Sequence, residues 1–145
     1  MAASAILDTG AIIALLDRHD RWHRACVKAF SQIRVPLLTS EAVLTEVFYL
    51  VASRGKEVAA AWTFVRSGSL TLGTITDSDL PTISYLMNRY RDRPMDFADA
   101  TLVHLATRES LSTVLTVDFA DFQTYRIDGT KRFRILPDPK TPPAH

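Results

Sequence analysis

Four carboxylates are candidates for chemistry because of the positions they occupy in the sequence. Asp8 and Asp118 each end a short apolar run, and Asp99 lies near the start of a helical pattern. Glu46 lies inside EAVLTEVFYLVASR, a helical segment that is apolar almost all round and is therefore predicted to be buried. A buried carboxylate is costly unless it is paired or metal-bound, so Glu46 indicates a metal site, catalysis or a buried ion pair to an arginine.

Together these acids would need a cation or protons. Two like charges about 4 Å apart repel by about 4 kcal/mol at an effective dielectric near 20. Four carboxylates in one cleft therefore require that some are protonated or that a metal ion binds. Oxygen-only ligation favours Mg²⁺ or Mn²⁺, and no cysteine and histidine set has zinc spacing. Such a site is suited to the hydrolysis of phosphodiester bonds.

The elements that position these acids follow from the alternation of apolar runs and helical patterns. Strands are predicted at residues 5–7, 36–39, 70–72, 113–117 and 133–136. Helical patterns separate the first four, so the sequence predicts an α/β fold: a three-layer α/β/α sandwich around a mostly parallel five-stranded sheet. If the first and fourth strands are neighbours, all four acids converge at their carboxyl ends.

Local signals predict where the helices begin and end. Gly10 is predicted to form a tight turn before a first short helix, and Asp20 to cap a helix over residues 21–33. Ser40 is predicted to cap a helix that ends before Gly55. Asp96 is the predicted cap of a helix extending to about residue 108, with Asp99 at its third position. Acids at a helix start are also explained by capping and the helix dipole, worth roughly 0.3–1 kcal/mol each.

Other residues near these acids are secondary candidates. Thr9 and Thr116 could orient water or phosphate, or could be ordinary polar residues at strand ends. Arg89, Arg91 and Arg93 alternate in RYRDRP just before the acidic stretch. They are candidate RNA contacts, and the alternative is a polar helix end where cations suit the dipole.

Composition sets the remaining expectations. With 145 residues, 47% of them hydrophobic and 23% charged, the chain is predicted to form one domain over residues 1–137. The proline-rich residues 138–145 are predicted to be a disordered tail. A net charge of +1 gives no strong overall field toward nucleic acid or membrane. A lone cysteine and the lack of a signal or membrane-spanning pattern favour the cytoplasm and no membrane partner.

Four segments in order, residues 6–15, 39–46, 96–100 and 115–122, resemble those of the PIN-domain ribonucleases, in particular the VapC-like toxins of bacterial toxin–antitoxin pairs. The resemblance places the family's four acids on Asp8, Glu46, Asp99 and Asp118, which would act as catalytic and metal-binding residues. Asp121 matches a further acid, and Asp96 matches a less fixed position and is kept as a cap. Gly10 stands where many members carry a serine.

The resemblance implies a PIN-like fold and a Mg²⁺- or Mn²⁺-dependent endoribonuclease. It further implies a homodimer inhibited by a small antitoxin, hence a toxin that inhibits translation through RNA cleavage. The alternatives are a non-toxin PIN-type RNA-processing nuclease and a catalytically silent PIN-like interaction module. A phosphatase or phosphotransferase is disfavoured, because it usually needs a lysine near the strand ends and none of the lysines stands at such a place.

Overall fold

The computed structural model describes residues 2–140 and is built on a parallel five-stranded sheet. The strands are β1 (Ile6–Leu7), β2 (Leu37–Ser40), β3 (Leu70–Gly73), β4 (Thr113–Leu115), β5 (Arg126–Ile127), β6 (Lys131–Arg132) and β7 (Arg134–Leu136). The helices are α1 (Thr9–Leu16), α2 (His23–Ser31), α3 (Glu41–Val51), α4 (Gly55–Val65), α5 (Leu80–Arg89), α6 (Phe97–Glu109) and α7 (Phe119–Thr124). The five strands of the sheet lie in the order β3-β2-β1-β4-β7, which confirms the predicted α/β architecture.

Strand β1 occupies the centre of this sheet, between β2 and β4. Ile6 pairs with Leu38 on one side and with Val114 on the other, and Leu7 pairs with Leu115. Neighbouring residues of a strand point to opposite faces of the sheet, and both Ile6 and Leu7 are fully buried, so both faces are covered. The adjacency of β1 and β4 is the condition under which the acids were predicted to converge.

Two of the predicted helix caps are confirmed, and a further cap precedes α5. The Ser40 hydroxyl accepts a hydrogen bond from the Val43 amide at 3.2 Å, and the Asp96 carboxylate accepts one from the Asp99 amide at 2.8 Å. Thr76 and Asp79 form a reciprocal capping box before α5. The start of α6, which carries Asp99, is therefore fixed by a neighbouring side chain.

Three predicted boundaries were wrong. Gly10 lies in the first turn of α1 rather than in a tight turn, and a Cβ on it would lie 2.6 Å from Cγ2 of Val117. Its lack of a side chain thus allows a close approach. Helix α2 begins at His23, because the Asp20 carboxylate accepts from the Trp22 amide at 2.8 Å and caps the preceding turn instead. Gly55 begins α4 rather than following α3.

A short hairpin of β5 and β6 lies between α7 and β7, where no strand was predicted. The strands pair antiparallel through two residues each, and Asp128 and Gly129 supply the positive φ angles of the connection, 51° and 78°. Strands this short show no alternating pattern in the sequence. Residues 138–140 are exposed beyond β7, and the rest of the predicted tail lies outside the described residues. None of the helices within residues 2–140 has the length and apolar character needed to cross a bilayer.

Candidate active site

The four predicted acids line one cavity of about 660 Å³ at the carboxyl edge of the sheet. Asp8 follows β1 and caps α1, while Asp118 follows Thr116 and Val117 beyond the end of β4. Asp99 lies in the first turn of α6, and Glu46 lies in the middle of α3. Thr9, Asp96 and Asp121 also line the cavity. The predicted convergence is therefore present.

Asp8 is the most buried of these acids, with 2% of its surface exposed. Its Oδ1 accepts from the Thr9 amide at 2.8 Å and its Oδ2 accepts from the Thr116 hydroxyl at 2.8 Å. The Thr116 Oγ1 in turn accepts from the Asp118 amide at 2.9 Å, which turns the chain out of β4 two residues earlier than the sequence predicted. Thr116 therefore joins the ends of the two central strands.

Glu46 lies at the cavity wall, and the prediction that its helix is buried all round was wrong. Helix α3 packs inward through Val43, Val47 and Val51, whereas Tyr49 and Leu50 are 80% and 52% exposed. The pattern of apolar residues in the sequence does not distinguish a helix face that packs in the core from one that lines an open cavity. Glu46 is half-buried, and its Oε1 accepts from the Thr9 hydroxyl at 2.7 Å. Within residues 2–140 it has no basic partner within 4.0 Å, so the ion-pair alternative is not found there.

Asp99 is held by a residue that sequence reasoning missed. The hydroxyl of Tyr125 donates to Oδ2 of Asp99 at 3.1 Å. Tyr125 is fully buried, with its ring edge-on to Tyr90 and Phe122 at centroid distances of 5.1 and 5.2 Å. Buried tyrosine hydroxyls need hydrogen-bond partners, but a contact across 26 residues leaves no local pattern in the sequence.

Burial and mutual repulsion raise the pKa of all four acids. Burial, followed by the charges of Asp118 and Glu46, raises the pKa of Asp8 from 3.8 to about 7. Burial, followed by the charges of Asp8 and Asp96, raises that of Asp99 from 3.8 to about 8. The pKa values of Glu46 and Asp118 are also raised, again mainly by burial. The cavity thus concentrates negative charge that protons or a cation would relieve.

Asp121 and the three candidate arginines differ in what they contact. Arg93 lies 3.4 Å from the Asp121 carboxylate, so it reaches a residue of the acidic cavity. Arg89 lies over the ring of Tyr90 at 5.2 Å and donates to the carbonyl of Gly129 at 3.2 Å. Arg91 donates to the carbonyl of Asn88 at 3.1 Å, at the end of α5, as expected for a cation at a helix end.

The donor set fits a hard divalent cation in chemical type. The charged groups that line the cavity are carboxylates, and within residues 2–140 none of the four predicted acids has a basic partner within 4.0 Å. Within residues 2–140, no three acid, histidine or cysteine side chains are grouped closely enough to hold a metal as they stand. Binding such an ion would therefore require the carboxylates to reorient toward it.

The chain is similar in sequence and in structure to known proteins. A model of the PIN domain matches residues 5–127. Ribonuclease VapC26 of Mycobacterium tuberculosis is 30% identical over 134 residues, 91% of this chain and 99% of that protein. The crystal structure of VapC20 from Mycobacterium tuberculosis, a sarcin–ricin loop cleaving toxin, matches with a TM-score of 0.70 and 21% identity, covering 81% of this chain and 94% of that one. A toxin–antitoxin complex from Klebsiella pneumoniae matches with a TM-score of 0.63 and 19% identity over 83% and 92%.

Proposed function

The chain belongs to the PIN-domain family, and we propose that it is a VapC-like endoribonuclease, the toxin of a toxin–antitoxin pair. The observation that carries the proposal is the gathering of Asp8, Glu46, Asp99 and Asp118 around one cavity with raised pKa values. A relative named as a ribonuclease that aligns over nearly the whole chain supports the same reaction. The proposed substrate is RNA, and the bond cleaved is a phosphodiester.

In this proposal the four carboxylates hold Mg²⁺ or Mn²⁺. When bound, the ion lowers the pKa of a water molecule and stabilises negative charge on the reacting phosphate. Ligation by Asp8 and Asp99 requires that both lose the protons which their raised pKa values favour near neutral pH. Metal binding should therefore release protons and should tighten as the pH rises.

The hydrogen-bonded neighbours orient these acids. Thr9 donates through its amide to Asp8 and through its hydroxyl to Glu46, so it joins α1 to α3. Thr116 holds the second oxygen of Asp8, and Tyr125 holds one oxygen of Asp99. Fixed orientation of this kind is what tunes carboxylate ligands in metal sites. Thr9, Thr116 and Tyr125 are therefore proposed as positioning residues, and Asp96 as the cap that presents Asp99.

The proposed biological setting is that of the family. A homodimer, a small antitoxin partner and action in the cytoplasm to inhibit translation are proposed from the VapC likeness. One relative in structure is a toxin–antitoxin complex, and another cleaves the sarcin–ricin loop, but at their identities they establish the fold alone. The nuclease domain is proposed to comprise residues 1–137. The RNA that is cut is left to experiment.

Cleavage mapping tests the proposal directly. The purified chain would be incubated with total RNA in Mg²⁺, in Mn²⁺ or in EDTA, and new 5′ ends would be mapped by sequencing. We expect discrete cuts with either metal, none in EDTA and none with a folded Asp99→Asn variant. Cleavage that persists in EDTA would contradict the metal-dependent reaction. Metal binding without cleavage of any RNA would favour the interaction-module alternative.

A further inference from the structure

Among residues 2–140, no basic side chain lines the acidic cavity, although its proposed substrate is a polyanion. The lining consists of acids, hydroxyl-bearing residues, Gly10 and the apolar or aromatic residues Tyr49, Leu50 and Pro94. A bound divalent ion offsets part of this charge, but the phosphates flanking the cleaved bond would still approach carboxylates. A cation at the margin of the cavity would relieve that repulsion.

Such a cation stands where the acidic cavity meets a second one. A cavity of about 560 Å³ is lined by Arg89, Tyr90, Asp92, Arg93 and Thr124, and it shares Pro94 and Asp121 with the acidic cavity. The two spaces therefore adjoin across Pro94 and Asp121. The Arg93 side chain lines the second cavity, and its Nη1 lies 3.4 Å from Oδ1 of Asp121, which lines both cavities, so it lies at the junction.

The contact between Arg93 and Asp121 is open to exchange. The two charged groups are 3.4 Å apart, and their side chains are 41% and 35% exposed. Exposed ion pairs of this kind contribute little to stability and are screened by salt. A phosphate offers Arg93 the same anionic oxygens and can form a bidentate contact, so it can replace Asp121 at small cost.

The neighbouring arginines contact neutral groups rather than an acid of the cavity. Arg89 donates to the Gly129 carbonyl and lies over the Tyr90 ring, and Arg91 donates to the Asn88 carbonyl. Of the three candidate RNA contacts, Arg93 is the one whose partner is itself an acid of the cavity.

We propose that Arg93 is a substrate-binding residue that exchanges Asp121 for a backbone phosphate of the RNA. The inference rests on the proposed ribonuclease function and adds to it the path that the RNA strand follows across the protein. That path leads from the acidic cavity, past Pro94, into the second cavity. In this exchange Asp121 competes with the RNA phosphate for Arg93.

The first test is Arg93→Gln with a short single-stranded RNA substrate at saturating Mg²⁺. Loss of one charged hydrogen bond should raise KM roughly five- to thirtyfold, with kcat changed less than threefold. The slope of log(1/KM) against log[salt] should become shallower by about 0.7, as for one lost phosphate contact on a single strand. Equal losses in kcat and kcat/KM with KM unchanged would overturn the assignment.

The exchange itself is tested by a double-mutant cycle with Asp121→Asn. In the wild-type background this change should lower KM severalfold, because Arg93 no longer has a competing partner. In the Arg93→Gln background the effect should vanish. An equal fall in KM in both backgrounds would show simple charge repulsion, and a rise would show that Asp121 positions Arg93; either result would overturn the exchange.

Arg66→Gln is the matched control. Arg66 is exposed at the end of α4, where the chain enters β3, so it lies at the amino edge of the sheet, opposite the cavity. If Arg93→Gln behaves like Arg66→Gln while the wild type cleaves RNA, the inference is wrong and the proposed function stands. If the wild type cleaves no RNA with either metal, the proposed function itself fails. Thermal unfolding of each variant confirms that it is folded.

Discussion

Replacing Asp99 by asparagine should stabilise the protein in the absence of metal, and more strongly at high pH than at low pH. The change removes one charge from the acidic cavity and keeps nearly the same size. The asparagine carbonyl can still accept the hydrogen bond from Tyr125. The substitution therefore isolates the cost of the charge from the cost of a lost contact.

The magnitude follows from the pKa of Asp99, which burial and neighbouring charges raise from 3.8 to about 8. Between these values the folded protein binds a proton that the unfolded chain has released, so stability falls as the pH rises through this window. For an isolated carboxyl with these two pKa values, ionisation lowers the free energy of unfolding by about 2 kcal/mol at pH 5 and by about 5 kcal/mol at pH 8. Solvent at the cavity mouth and proton uptake by neighbouring acids reduce both figures, so we expect gains of about 1 and 3 kcal/mol for Asp99→Asn.

The assay is thermal and urea unfolding in EDTA at the two pH values. At pH 8 the expected gain of about 3 kcal/mol corresponds to a melting temperature about 10 °C higher than that of the wild type. Asp128→Asn is the matched control, because Asp128 is exposed in the β5–β6 turn with φ 51°, a conformation that asparagine also tolerates. It should not reproduce the pH-dependent gain in stability expected for Asp99→Asn.

Two results would refute this reasoning. A loss of stability at pH 8 would mean that Asp99 is favourably paired as an anion, and an equal gain at both pH values would mean that ionisation plays no part. The same variant should lose Mg²⁺-dependent RNA cleavage. Wild-type cleavage by folded Asp99→Asn would remove Asp99 from the proposed catalytic set.

Three further substitutions probe the site. Glu46→Gln should be neutral or stabilising without metal, because it removes a repelled charge; a large fall in melting temperature in EDTA would contradict this. Tyr125→Phe should cost about 1 kcal/mol in urea unfolding and raise the Mg²⁺ concentration for half-maximal cleavage severalfold, whereas an unchanged Mg²⁺ dependence would show that Tyr125 does not position Asp99. Gly10→Ser should cost roughly 1–3 kcal/mol through its clash with Val117, and Val117→Ala should recover part of that loss; no recovery in urea unfolding would exclude the clash as the cause.

The sheet and the position of the acidic cavity could be predicted because the sequence shows where the strands end. Asp8 and Asp118 follow apolar runs, and parallel strands bring their carboxyl ends to one edge, so the adjacency of β1 and β4 was sufficient to unite them. Asp99 was placed by its helix start, where Asp96 supplies the cap that the sequence suggests. Each of these inferences depends on a local sequence pattern that places an acid at the same edge of the sheet.

The unpredictable part depends on contacts between distant segments. The bond from Tyr125 to Asp99, the approach of Val117 to Gly10, and the pair of Arg93 with Asp121 join residues that share no local pattern. Each is set by how helices pack on the sheet rather than by propensity. The prediction of a buried environment for Glu46 was wrong for a related reason. Tyr49 and Leu50 are exposed because of where α3 lies in the fold, and the apolar pattern of the helix does not reveal this.

That error sharpens the interpretation of Glu46. A fully buried carboxylate would have to be neutral or paired, and an exposed one would carry no information. Glu46 lies between these limits. Thr9 is its hydrogen-bond donor, and partial burial, followed by the charges of Asp96 and Asp118, raises its pKa. A stability-driven sequence would place an apolar or uncharged residue there, because the charge weakens the fold. The acidic cluster thus costs stability, whereas the rest of the core is mostly apolar. Costly groups of this kind are concentrated at functional sites, and a cluster of carboxylates is typical of a site that binds a cation.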